Sequence, residues 1–248
     1  MALAGYGARV EGVPAVEAAL QAGRVQKLRV ESRSASSPRM AELLNSARGG
    51  GVEIEMVNSL AGVAVTSSPQ GVLAECRPLQ AVKLTQLAKE ATPAAVLVVD
   101  RISDPRNLGA IARSAVAAGT PRLIIPRRRG SPLTPTAFKA AAGALERTRV
   151  CVVSSIAETL TRLSRMGIWT IGLAADAPTS LLGLELLEEP AALVVGAEHQ
   201  GLSRLVAQRV DQLASIPMVG DTESLNASVA AGLALFELAR VRGYLQKP

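Results

Sequence analysis

The chain has 248 residues, 48% of them hydrophobic, and 27 lysines and arginines against 21 aspartates and glutamates give a net charge of +6. That length suits one large domain or two modest ones with a substantial core, and no apolar run reaches the roughly 18 residues that a membrane-spanning helix needs. A single histidine, His199, and two cysteines, Cys76 and Cys151, each in an apolar run, give no support to metal-centred or disulfide chemistry. The N-terminus lacks the basic start and apolar run of a signal peptide, so a cytoplasmic protein without a metal is expected.

In chain order, the pattern predicts a helix at 13–22, a strand at 25–30, a helix at 39–47, and strands at 52–57 and 71–76. Residues 1–80 thus read as a small α/β module. The more polar stretch 81–93, ending at Pro93, reads as a linker. From residue 94 the rhythm becomes regular. Apolar, β-branched strands are predicted at 94–100, 122–126, 149–153, 168–174, 191–196 and 213–217, with helices at 107–118, 134–145, 155–166 and 202–210, and a closing helix at 224–241. Strands alternating with helices predict an α/β fold with a mainly parallel sheet covered on both faces.

The positive charge is concentrated. Residues 101–149 hold ten basic side chains and only two acidic ones, Asp104 and Glu146. An arginine-rich stretch suits a phosphate backbone, so Arg127, Arg128 and Arg129 are candidate RNA contacts, although a run of that kind is also compatible with a solvated face. Aromatic residues are only 2% of the chain, which argues against recognition by base stacking.

In a parallel sheet, ligands bind at the loops beyond the carboxyl ends of the strands. Three of those loops carry groups capable of chemistry: 100–113, 196–203 and 216–228. None holds the Gly-x-Gly-x-x-Gly of a dinucleotide site. The first loop offers only Gly109, and the second, Gly196-x-Glu198-x-x-Gly201, puts a carboxylate where the middle glycine would stand. No Walker Gly-Lys-Ser/Thr sequence occurs. Taken singly, Asn107, Glu198 or Ser224 could cap a helix, and Arg113 could face solvent on an alanine-rich helix.

Together these residues resemble a known family. Asn107-x-Gly109-x-x-x-Arg113, Gly196-x-Glu198-x-x-Gly201-Leu202 and Ser224-Leu-Asn226-x-Ser228, with Glu237 further along, look like the three motifs of the SpoU (TrmH-type) branch of SPOUT methyltransferases, from about residue 94 to the C-terminus. Gly12-Val-Pro-Ala-Val-Glu-Ala-Ala-Leu20 and Pro69-Gln-Gly-Val-Leu-Ala74 are similar, more weakly, to that family's L30e-like substrate-binding domain. By pattern the chain is closest to bacterial guanosine-2′-O-methyltransferases of 23S ribosomal RNA. The resemblance implies a trefoil-knotted catalytic domain over 94–248, a homodimer packed through it, S-adenosylmethionine as cofactor and RNA as substrate. It implies cofactor contacts from Gly196, Ile216 and Leu225, with Gly201, Leu193, Met218 and Ala230 beside them. Arg113 resembles the family's catalytic arginine, and Asn107, Glu198, Ser224 and Asn226 carry over as active-site positions. In that reading Glu198 orients arginine or backbone donors, Asn226 and Ser224 hold the loop and the ribose, and Glu237 fixes the last helix.

A free arginine has a pKa of about 12.5 or higher and is a poor base at neutral pH. An electrostatic clamp on the developing alkoxide is therefore favoured over a deprotonated base. The rival readings are a tRNA 2′-O-methyltransferase of the same superfamily and a non-catalytic RNA-binding protein. Enzymes acting on tRNA often lack an L30e-like domain, so residues 1–80 favour ribosomal RNA.

Overall fold

A computed structural model describes residues 6–89, 93–128, 130–198, 200–219 and 224–245. Arg129 and His199 lie outside the described residues.

The N-terminal part is built from β1 (Arg9–Glu11), α1 (Val13–Gln21), β2 (Val25–Glu31), α2 (Pro38–Gly49), β3 (Glu53–Val57) and β4 (Val72–Cys76), in a sheet of order β1-β4-β2-β3. Strand β4 runs antiparallel to β1 and β2, and β2 runs parallel to β3. The pattern did not reveal β1, because three residues are too few to show a period. Pairing with β4 is what makes it a strand.

Within the stretch 81–93, residues 82–88 pack against the sheet. They contain a single helical turn, α3 (Leu84–Leu87), with Val82, Leu84 and Leu87 buried in the second of two core clusters.

The C-terminal part follows as β5 (Ala95–Val99), α4 (Pro105–Ala117), β6 (Arg122–Pro126), α5 (Pro135–Ala141), β7 (Arg149–Val153), α6 (Ile156–Ser164), β8 (Trp169–Leu173), β9 (Ala191–Val195), α7 (Arg204–Ala207), β10 (Gln212–Ala214) and α8 (Ala227–Val241). All its strand pairs are parallel, in the order β10-β8-β9-β5-β6-β7. Strands β5 and β9 are buried along their whole length because both sheet faces are covered. Ala95, Leu97 and Val99 point into a core shared with α4, α5 and α8. Val96 and Val98 point into the one shared with α6 and α7.

Both cysteines are free and buried, and burial raises their thiol pKa, that of Cys76 to about 12. They behave as small apolar side chains.

The two parts share one continuous core. Val10, Val16 and Leu28 of the first lie in the same buried cluster as Phe138 and Leu145 of the second. Arg24 forms a bidentate ion pair with Glu146 and stacks 5.7 Å from the centre of the Phe138 ring. This docking breaks the helix expected over 134–145. The chain turns left-handed at Ala142 and Gly143 and resumes as a 3-10 turn, and a Cβ on Gly143 would sit 2.7 Å from the Ala18 Cβ, so glycine is what the close approach to α1 requires.

Candidate active site

Strands β5 and β9 are neighbours, but their continuations diverge, to β6 on one side and past β8 to β10 on the other. Such a switch point opens a crevice at the carboxyl edge of the sheet. Two local features shape it. Asp104 caps α4 by accepting the Arg106 N–H at 2.8 Å, with Pro105 in the first turn, so the helix starts before Asn107 and leaves that side chain free. Asp100, buried at the end of β5, accepts the Ser203 N–H at 2.7 Å and ties the β9 loop to it.

Asn107, Glu198 and Asn226 meet at the crevice. Asn107 Nδ2 donates to Glu198 Oε1 at 2.8 Å, and Asn226 Nδ2 donates to Asn107 Oδ1 at 3.2 Å and to the same Glu198 oxygen. The Asn226 Oδ1 accepts the Ser228 N–H at 2.9 Å and the Ser228 hydroxyl at 2.6 Å, capping α8. One carboxylate thus holds the start of α4, the β9 loop and the start of α8 together. Among the described residues its partners are amides, not the arginine or backbone donors expected for Glu198. Neither Asn107, Glu198 nor Ser224 caps a helix, since Asp104 and Asn226 fill those positions.

Beside this junction lies a cavity of about 590 Å³ over the ends of β8, β9 and β10, a size usual for small-molecule sites of about 300–1,000 Å³. Gly196, Gly201, Ile216, Met218, Leu225 and Ala230 line it, as do Glu198 and Ser224. Leu193 does not. Its side chain is fully buried in the core between Leu97 and Ile171, on the same face as the cavity-lining Val195 but two residues deeper in the sheet.

The β9 loop closes on itself through paired backbone bonds between Ala197 and Gly201, at 3.0 and 2.9 Å. A Cβ on Gly196 would lie 2.1 Å from the Gly201 carbonyl carbon, so only glycine fits, while Gly201 takes a left-handed φ of 59°. A third wall, including Leu173 at the end of β8 and Ala174 and Asp176 after it, was not found from the sequence. Its only signal was position at a strand end.

Arg113 sits six residues beyond Asn107 on α4, about 9 Å along the axis at about 1.5 Å per residue. It is exposed on the same side as Arg106 and forms no ion pair or hydrogen bond among the described residues. The junction does not include it. Arg127 and Arg128 are exposed just after β6, with the Arg127 N–H bonded to the Val153 carbonyl at 2.8 Å. Glu237, buried, accepts the Gly183 N–H at 2.7 Å and two bonds from Arg240, which hold its carboxyl below the usual range, the Arg240 bonds most strongly. It fixes α8 to the loop before β9.

Known proteins resemble this chain along most of its length. The profile of the SpoU rRNA Methylase family matches residues 94–236, and that of an RNA 2′-O ribose methyltransferase substrate binding domain matches residues 9–82. The 23S rRNA (guanosine-2′-O-)-methyltransferase of Xanthomonas campestris pv. campestris is 39% identical over 241 residues, covering 94% of this chain and 96% of its own. The structure of the SpoU methyltransferase AviRb from Streptomyces viridochromogenes with its cofactor AdoMet superposes with a TM-score of 0.78 at 26% identity, covering 95% of this chain and 90% of that one. A structure described for 2-OH methylation of C/U34 on tRNA is 30% identical with a TM-score of 0.54. It covers 99% of its own chain but only 61% of this one.

Proposed function

The chain belongs to the SpoU rRNA methylase family, and from that membership we propose that it methylates the 2′-hydroxyl of a guanosine in 23S ribosomal RNA. It is an S-adenosylmethionine-dependent RNA ribose 2′-O-methyltransferase. The observation that carries the assignment is the junction of Asn107, Glu198 and Asn226 beside the 590 Å³ cavity.

The bound cofactor supplies the electrophilic methyl group. The chain's own residues do the rest by placement, from which a reaction of this kind gains much of its rate. In this reading Gly196, Ile216 and Leu225 grip the adenosine and methionine parts through main-chain atoms, with Met218, Gly201 and Ala230 beside them. Glu198 keeps the two asparagine amides oriented, and Ser224 with Asn226 holds the ribose. Arg113 stabilises the developing alkoxide as a fixed positive charge. Residues 1–80 bind the RNA substrate, 81–93 connect, and 94–248 carry out the transfer, in the cytoplasm. Arg127, Arg128 and Arg129 contact phosphates. A tRNA substrate is disfavoured because the tRNA-related structure has no counterpart for much of this chain.

A homodimer and a trefoil knot belong to the same proposal. Support for the dimer comes from α8, where Val229, Leu233 and Phe236, spaced to share one helix face, are 49%, 46% and 43% exposed. Arg113 lies on the neighbouring outer face of α4, so a second copy seated on the stripe brings this arginine to the interface. For the knot, the support is the way the chain after β10 is bound to the loop at 179–183. Ser215 N–H bonds to the Thr179 carbonyl at 2.8 Å, Leu181 N–H to the Ser215 carbonyl at 2.7 Å, and Glu237 returns from α8 to Gly183.

The assignment is tested by incubating the protein with labelled S-adenosylmethionine and 23S or transfer RNA, then mapping 2′-O-methyl positions. Label in a single 23S guanosine is expected. Label in tRNA alone sinks the substrate assignment. Light scattering tests the dimer: the Leu233→Glu/Phe236→Glu variant is expected to be monomeric and inactive while keeping native circular dichroism. A monomeric wild type overturns the dimer.

A further inference from the structure

The basic stretch 101–149 does not exhaust the positive surface. On the sheet face opposite α4 and α8, a groove of about 610 Å³ runs between α6 and α7. Arg162 enters it from α6, Arg165 from the C-cap of α6 and Arg209 from just beyond α7, with Thr161 and Leu205 also lining it. All three arginines are exposed, and among the described residues none forms an ion pair. Arg209 Nη1 donates only to the Thr161 hydroxyl, at 3.4 Å. Glu158 is the one acidic side chain lining the groove.

Arg162 and Arg165 alone would be accounted for as cations at a helix C-terminus, where the dipole favours them. Arg209 does not fit that account, since it comes from a separate segment to the same concavity. Like charges from two elements repel and are tolerated in water, and an anion between them removes the repulsion. Both ends of the groove also lie close along the chain to residues of the site and of the basic edge. Its α6 end begins at Ser155, two residues past Val153, whose carbonyl holds the Arg127 N–H. Leu205 follows two residues after Ser203, which Asp100 fixes at the catalytic crevice. This face lies on the other side of the sheet from α8, where the second copy is proposed to sit.

Resting on the RNA-substrate reading above, we infer that the α6–α7 groove is a second phosphate-binding track, which carries ribosomal RNA from the Arg127–Arg128 edge across the back of the catalytic domain. Its contacts are to backbone phosphates and contribute affinity without choosing the nucleotide.

The test compares the full-length wild-type protein with the Arg162→Ala/Arg165→Ala/Arg209→Ala variant. The probes are a full-length 23S transcript and a short fragment of it spanning the methylated nucleotide. For the full transcript, affinity is expected to fall about 10-fold or more. The slope of log affinity against log salt should drop by about two to three, at about 0.7–0.9 per phosphate contact. Calorimetric S-adenosylmethionine binding, the modified position and activity on the short fragment should not change. Replacing the three by lysine should restore most of the affinity. If the wild type methylates 23S RNA while the alanine variant keeps both affinity and salt slope, the groove is not an RNA track and its charge serves the helix ends or an acidic protein surface. If the wild type fails to bind or methylate 23S RNA at all, the underlying substrate reading falls instead.

Discussion

Arg113→Ala is expected to lower single-turnover methyl transfer at least about 100-fold, the usual cost of removing one well-placed group that stabilises transition-state charge. S-adenosylmethionine affinity should stay within about twofold. The side chain is exposed, forms no ion pair among the described residues, and stands well along α4 from the 590 Å³ cavity, so neither the fold nor the proposed cofactor site is expected to depend on it. With no carboxylate bonded to it among the described residues, Arg113 can turn its donors to an incoming oxyanion or phosphate. Arg113→Lys should fail almost as badly, since an ammonium cannot reproduce the planar fork. Both variants are to be measured with saturating RNA and cofactor, alongside circular dichroism. Near-wild-type turnover in either would return Arg113 to the solvent-facing surface.

The second large effect is expected at Gly196. An added methyl would meet the Gly201 carbonyl carbon at 2.1 Å, its oxygen at 2.2 Å and the Leu202 nitrogen at 2.4 Å, all backbone atoms of the loop that walls the cavity. The loop has to open to admit it. Overpacking of this kind costs about 1–3 kcal/mol, so Gly196→Ala should weaken S-adenosylmethionine binding about 10- to 100-fold. The displaced loop also carries Glu198, and with it the junction to Asn107 and Asn226, so turnover at saturating cofactor should fall as well. Calorimetry and initial rates separate the two effects. A Gly196→Ala protein that binds the cofactor as the wild type does would show that the loop rearranges freely and does not form the binding wall.

Much of this was legible before any coordinates. Alternating strands and helices from residue 94 gave the parallel sheet, because a strand buried on both faces must be apolar at every position. Asn107, Glu198 and Asn226 were candidates for the site through the resemblance of their motifs to those of the SpoU family, since taken singly a residue such as Asn107 or Glu198 could equally have capped a helix. Tertiary structure decided what they do there. It made Asp104 the cap of α4, so that Asn107 was free for Glu198, and it sent Leu193 into the core, where an apolar side chain near a site was easily mistaken for lining. It made a strand of Arg9–Glu11 and broke a helix at Gly143, each through a partner distant in sequence. It also brought Arg162 and Arg165 to Arg209, a cluster that no run of neighbouring residues announces. Local propensity and hydrophobic period depend only on neighbours in the chain, so the sequence determined the elements and the residue types at their ends. Caps, close approaches and convergent charges depend on which elements pack together, and only the folded chain settles that.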